Sequence, residues 1–300
     1  MKIAVLSTNP KLYSTRRLVE EIKKRDYEAV VINHALCHIF IEEEKPVILY
    51  KNKLVEGIEA IIPRIGASVT DYGSTVVRQF EMMNVFTTVK SQAIMRSRNK
   101  LRSLQILSKA GVQIPKTVFA NQTKEVDKLI KLVGGPPVII KLLEGTQGVG
   151  VVLAESSKAA KSTIEAFYGL KTNVLIQEYI AESNGADIRA FVIGNKVVAA
   201  MKRQGNPSDF RSNLHRGGKA EAILLKPHEE KAALQAAKAL GVRVAGVDMI
   251  QSNRGPMIME VNSSPGLEGI EKITGINIAE LIIGYIEDKI RADEGDTIGV

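Results

Sequence analysis

The chain has no tryptophan and one cysteine, and aromatic residues make up 5% of its 300 positions. So few flat rings cannot build a base-stacking platform, and sequence-specific nucleic-acid recognition is not expected. A lone Cys37 closes no intrachain disulfide, which fits a reducing compartment and leaves stability to packing. No apolar run reaches the roughly 18 residues that span a bilayer. The opening MKIAVLSTNP turns polar too early for a secretory signal, so the expectation is a cytoplasmic protein without a membrane partner. Glycine is missing from the first turn, Ser7 to Pro10, which excludes a dinucleotide fingerprint there.

What is present is an ordinary globular composition. A hydrophobic fraction of 45% over 300 residues supplies cores for two or three packed lobes. Lys and Arg exceed Asp and Glu by 41 to 33, a net charge of +8, which favours anionic partners such as nucleotides, acidic peptides or a ribosome surface. A basic surface that serves only solubility reads the same way.

Periodicity divides the chain. Lys2 to Leu6, Ala29 to Ile32 and Ile58 to Ile62 read as strands and Leu12 to Lys24 as a helix, the alternation of a small open parallel sheet. Asp71 to Asn84 and Val89 to Ala110 each read as one helix, the second stopped by Gly111 and Pro115. Beyond Pro115, candidate strands at Val138 to Leu143, Val149 to Leu153, Val174 to Ile180, Ile188 to Ile193 and Val197 to Met201 alternate with helices at Ser157 to Tyr168 and Pro227 to Leu240. This predicts an α/β N-terminal lobe over residues 1–90 and an α+β body in two parts, 91–181 and 182–290, with a polar, fraying tail over 291–300.

The richest segment is Ala245 to Gly266, two apolar runs around Ser-Asn-Arg-Gly-Pro, which reads as a hairpin. Side chains two apart share a strand face, so Glu260 and Asn262 point the same way. A three-residue loop at Asn253 to Gly255 sets Asp248 opposite Glu260; a two-residue loop sets it against Val261. Two carboxylates held close in an apolar setting call for a cation or a proton, and magnesium, bound by a few protein oxygens and substrate phosphates, answers that need. Three polar residues on a solvent-facing strand give the same pattern.

Three further segments carry chemistry. Lys141 interrupts an apolar strand and precedes a loop with Gly145, Gly148 and Gly150, whose backbone amides suit phosphate oxygens; it lacks the Gly-Lys-Ser/Thr ending of a P-loop, and a plain hairpin turn is the bland alternative. The strand Val174 to Ile180 turns polar at its end, where backbone groups suit adenine, and is followed by Asp187 and Arg189. Arg203, Arg211, Asn213, His215 and Arg216 gather around a segment suited to anions or to open solvent. His34, Cys37 and His38 have helix-like spacing but no fourth ligand, and read as packing residues. Arg64 and Arg78 are candidates to receive an acidic acceptor or to serve the surface.

In order, a strand lysine, a glycine-rich lid, a hinge strand and a late acidic hairpin resemble the ATP-grasp superfamily. The phrases Leu143 to Glu155, Asp209 to Gly218 and Asn262 to Lys272, with Pro63 to Gly66 and Arg78 to Glu81, resemble the RimK family, ligases that add glutamate to a ribosomal protein. The resemblance implies an ATP-grasp fold whose two sub-lobes clasp ATP. It implies that Lys100 and Lys141 contact phosphates under the glycine lid and that Glu178, Tyr179 and Ile180 form the adenine hinge. Asp187 would bind the nucleoside. Arg211, Ser212 and Asn213 would face the phosphates, with Arg211 and Asn213 catalytic. Asp248, Glu260 and Asn262 would hold magnesium or manganese. It further implies L-glutamate as donor, the C-terminus of a small-subunit ribosomal protein as acceptor, and a homo-oligomer such as a tetramer. Rival readings are an ATP-grasp ligase for a small-molecule or carrier-protein acceptor, and a noncatalytic nucleotide-responsive module that binds ribosome or RNA by charge.

Overall fold

The computed structural model describes residues 1–120, 125–143, 150–205 and 218–295. The chain opens with β1 (Lys2–Leu6), α1 (Tyr13–Lys23) and β2 (Glu28–Ile32), then a small antiparallel sheet of β3 (Cys37–Phe40), β4 (Val47–Tyr50) and β5 (Lys53–Leu54) that periodicity did not announce. Next come β6 (Ala60–Pro63), α2 (Thr70–Met82) and β7 (Phe86–Thr87). The expected parallel sheet forms in the order β2-β1-β6-β7.

The single helix expected over Val89 to Ala110 is two: α3 (Ser91–Arg98) and α4 (Lys100–Lys109). Asn99 between them is extended, with φ −81° and ψ 104°, and its side-chain oxygen accepts from the Arg102 N–H at 2.9 Å. An asparagine that bonds the N–H three residues on caps a new helix rather than continuing the old one. Arg98 and Lys100 are thereby sent toward different partners.

The second sheet is antiparallel, in the order β10-β9-β11-β8, built from β8 (Thr117–Ala120), β9 (Val138–Leu142), β10 (Val151–Ala154) and β11 (Val174–Glu178), with α5 (Val126–Leu132) and α6 (Ser157–Gly169) packed on it. Period-2 alternation divides its faces. Val138, Ile140, Val174 and Ile176 close a small core with Ile130 and Ile164 of the helices, while Ile139, Lys141, Leu175 and Gln177 occupy the other face.

The third sheet runs β14-β13-β12-β15-β16, all antiparallel, from β12 (Ala186–Ile193), β13 (Lys196–Gln204), β14 (Lys219–Ala222), β15 (Val244–Ser252) and β16 (Gly255–Asn262). Between β14 and β15 lies α7 (Pro227–Leu240), with proline at its start, the Lys226 N–H held by Glu229 at 2.9 Å, and Gly241 at φ +73° as its left-handed stop. The chain finishes with α8 (Glu268–Thr274) and α9 (Ile278–Gly295), so the tail expected to fray from Arg291 is helical as far as Gly295. One continuous core joins the first and third sheets, from Ile3 and Leu18 through Phe191 and Val247 to Ile286. Among the described residues no helix is long and apolar enough to cross a membrane.

Candidate active site

Asp248 stands opposite Glu260, as the sequence suggests, but for a different reason. The hairpin loop is Asn253 and Arg254, with Ser252 opposite Gly255, rather than three residues. Continued regularly, that register would set Asp248 against Met259 and Glu260 against Val247, in the core. A bulge at Met259 shifts the pairing, so that Val261 pairs with Val247, both buried, and Glu260 joins Asp248 on the opposite face. A carboxylate in an apolar core is costly enough that the hydrophobic pattern selects the bulge.

Around this pair the third sheet lays out a row of charge. Arg189 on β12 faces Asp248 on β15 and grips it in bidentate fashion, Nε to Oδ1 at 2.7 Å and Nη2 to Oδ2 at 2.5 Å. Arg203 on β13 holds Asp187 in the same way, at 2.7 and 2.5 Å, and its Nη2 reaches Asp248 at 3.1 Å. Asp187 is therefore bound to an arginine, and Arg203, to which the sequence assigned no firm role, ties two carboxylates together. Burial alone would raise the Asp248 carboxyl, but Arg189 and then Arg203 outweigh it and hold it well below the ordinary range. Glu260 moves the other way: a crowded surrounding and then the charge of Asp248 raise it, while the amide of Asn262, at 3.0 Å from Oε1, lowers it. The two carboxyls are close enough for a proton on Glu260 to be shared with Asp248.

That arrangement fits a hard divalent cation. Among the described residues no group of three or more His, Cys, Asp and Glu could hold a metal. Here two facing carboxylates and the amide oxygen of Asn262 offer a short set of oxygens to an ion that takes the rest of its shell from phosphates and water. His34 and Cys37 lie buried in the first unit, and His38 is exposed.

Lys141 projects from the free face of β9 and donates to Gln177 Oε1 at 2.7 Å. Burial lowers its pKa to about 8, Glu260 opposes that shift and Lys100 adds to it, so Lys141 is within electrostatic reach of both. Lys100, the first residue of α4, donates to the carbonyls of Leu142 at 3.1 Å and Leu143 at 3.0 Å, where the glycine-rich segment begins. Of that segment Gly150 is described. It sits at φ +73°, where a Cβ would lie 2.5 Å from Leu142 Cδ1, so the chain can turn there only as glycine. Gly145 and Gly148, like Arg211, Ser212 and Asn213, lie outside the described residues.

The hinge strand ends where β9 begins after Pro136 and Pro137, which lack the N–H groups to extend the ladder. The Glu178 side chain is occupied, accepting from the Lys116 N–H at 2.7 Å and Arg254 at 2.6 Å, so its part in any nucleotide contact falls to its backbone. Tyr179 and Ile180 follow outside the strand, Ile180 buried. Sequence reasoning passed over Arg189 and Arg98 as site residues. A charged residue alternating with Ile188 and Ala190 on an apolar strand was the available signal for Arg189; nothing local marked Arg98.

With the geometry in hand, comparison with known proteins decides the family. Residues 97–286 match the RimK-like ATP-grasp domain and residues 1–94 the RimK PreATP-grasp domain. The chain belongs to the RimK-like ATP-grasp family. It is, accordingly, an ATP-dependent ligase. This RimK-like chain is 61% identical over 287 residues to the probable alpha-L-glutamate ligase of Picosynechococcus sp., covering 96% of this chain and 95% of the relative. Against the probable alpha-L-glutamate ligase 1 of Hahella chejuensis it is 58% identical over 297 residues, covering 99% and 98%. The ATP-grasp fold is shared with the ligase PsnB, solved with a phosphomimetic variant of its minimal precursor, Mg and ADP, at a TM-score of 0.74 and 19% identity, covering 96% of this chain and 98% of that one.

Proposed function

We propose that the chain joins L-glutamate to a carboxylate acceptor, the C-terminus of a small-subunit ribosomal protein, through an acyl phosphate. The observation that carries the reading is the facing pair Asp248 and Glu260, with Glu260 within electrostatic reach of Lys141 and Lys141 of Lys100. Its support in glutamate comes from relatives near 60% identity that are named probable alpha-L-glutamate ligases.

A carboxylate is a poor electrophile, so amide formation needs activation. In the proposed reaction an acceptor carboxylate oxygen attacks the γ-phosphorus of ATP, the bond to the β–γ bridging oxygen breaks, and ADP leaves. The free amine of glutamate then attacks the acyl carbon, the carbon–oxygen bond to phosphate breaks, and the amine gives its surplus proton to water. Lys100 and Lys141 hold phosphate oxygens, with Arg211 and Asn213 set against the transferring group and Ser212 beside them. Tyr179 and Ile180 take the adenine on their backbone beside Glu178, and Asp187 orients the nucleoside. Asp248, Glu260 and Asn262 hold the divalent ion, magnesium or in its place manganese, which neutralises charge on the phosphates. The glycine-rich segment with Gly145, Gly148 and Gly150 covers the site and keeps water from the acyl phosphate. The setting is the cytoplasm and the assembly a homo-oligomer, with lobes bounded near residues 90 and 181.

The test is incubation with ATP, magnesium, glutamate and candidate acceptors, followed by ADP release and mass spectrometry. A ladder of glutamyl additions at a ribosomal-protein C-terminus supports the full reading. Additions to a small molecule or carrier protein alone would overturn the acceptor, and no ADP with any acceptor would overturn glutamate ligation.

A further inference from the structure

Two arginines beside the site spend their hydrogen bonds on main-chain carbonyls. Arg64 follows β6 and donates from Nη2 to the Pro265 carbonyl at 2.7 Å; Arg98 ends α3 and donates from Nη2 to the Ile65 carbonyl at 2.7 Å. The Arg98 charge acts on Arg64, so the two guanidiniums lie within electrostatic reach of each other. The Arg98 Nε is buried with no hydrogen-bond partner, and among the described residues neither arginine has a carboxylate at ion-pair distance. Arginine is seldom left with an inward donor unfilled unless a ligand fills it, and its planar fork matches a carboxylate.

Glu260 is within electrostatic reach of Lys141 and of Arg98. It attracts Lys141, whose cationic neighbour is Lys100, and it attracts Arg98, which in turn repels Arg64. Burial, and for Arg64 also the charge of Arg98, disfavours both charged guanidiniums, a cost that a bound anion would offset. The lysine pair, on the second sheet and the start of α4, is taken up by phosphate in the reading above. The arginine pair belongs to the first unit and the end of α3, and Arg64 bonds the carbonyl of Pro265, which follows closely on Asn262 in the chain.

We propose that Arg64 and Arg98 form a subsite for a non-reacting carboxylate of substrate, carried by glutamate or by an acidic acceptor, and fix the reacting group against the phosphates. This deepens the ligase reading and rests on it.

The test uses the full chain and the variants R98Q, R98K and R64Q, with KM measured separately for glutamate, an acidic acceptor peptide and ATP. R98Q is expected to raise KM for one carboxylate substrate about tenfold or more, the worth of a charge-assisted hydrogen bond, with KM for ATP within about twofold and partial rescue by R98K. A rise for glutamate identifies the donor as occupant, and a rise for the peptide identifies the acceptor. A rise for ATP alone, or unchanged KM values, overturns the subsite. Glutarate, a dicarboxylate without an amine, is titrated calorimetrically in the presence of Mg-ADP as an independent arm. Binding by wild type that R98Q abolishes and R98K retains supports the subsite even if no acceptor turns over, an outcome that sinks the ligase reading alone; binding indifferent to R98Q overturns the subsite. Should R98Q fail to melt as wild type does, R64Q carries the same comparison.

Discussion

The first and third sheets share one apolar core that runs from Ile3 to Ile286, whereas the second sheet closes a smaller core of its own with α5 and α6. The two regions present opposite chemistry to the cleft. The larger body carries Asp248 and Glu260 and the arginines that restrain Asp248, while the smaller unit carries Lys141. Holding like charges close needs stiff surroundings, and the larger body provides them through a continuous core and bidentate arginine pairs. A single lysine needs only a strand and one glutamine.

The most severe way to break this division is Glu260→Ala. Turnover should fall by about a thousandfold or more, since the proposed divalent ion would lose a ligand. The melting temperature should hold, because Glu260 lies on the face opposite the apolar core; turnover near wild type would count against Glu260 as a ligand of the proposed ion. Arg203→Met strikes the body itself. It strips a partner from buried Asp248 and should cost about 3 to 5 kcal/mol in denaturant unfolding. Because the Asp248 carboxyl is held below its ordinary value, that contribution is present above about pH 4 and fades as the pH falls further, so variant and wild type should converge in acid. A gap that persists there would show the loss to be one of packing.

Ile176→Ala tests whether the cores are separate. It should destabilise by about 2 to 4 kcal/mol and speed amide exchange in β8 to β11 while leaving β12 to β16 protected. Exchange rising in both sheets together would dissolve the distinction. A gentler probe is pH. Lys141, with its pKa lowered to about 8, is charged below that value and loses its proton above it, so kcat/KM for ATP should fall by up to about tenfold per unit on the alkaline side. Lys141→Arg should move that limb upward, and an unmoved limb would assign it to another group. The smallest expected effect is at the junction. Asn99→Ala removes the cap that separates α3 from α4 and should cost about 1 kcal/mol, with KM for ATP rising as Lys100 drifts; unchanged stability would deny the cap its role.

Much of the fold could be read in advance because apolar periodicity writes faces directly. The parallel opening sheet, the α7 boundaries and the apolar flanks of the late hairpin all follow from alternation and end signals. The break at Asn99 was not readable, since the apolar spacing runs through it while a polar side chain captures the backbone. The β3–β5 sheet escaped because its strands are short and two of them flank a polar loop. At the site, Lys141, Asp248, Glu260 and Asn262 stood out as polar residues in apolar strands. Arg98 did not, because its partner Ile65 is 33 residues away in sequence.

By itself the sequence determined the order of the units, the strand that carries Lys141 and the presence of Asp248, Glu260 and Asn262 on the two strands of the last hairpin. Tertiary structure decided how those carboxylates come to face each other and what restrains them. A bulge at Met259, selected because Val261 and not Glu260 can enter the core, replaced the odd loop that pattern alone suggested. The arginine grips on Asp187 and Asp248 join β12, β13 and β15 across the sheet. Such contacts depend on sheet register and burial, and these are set by packing between segments far apart in the chain.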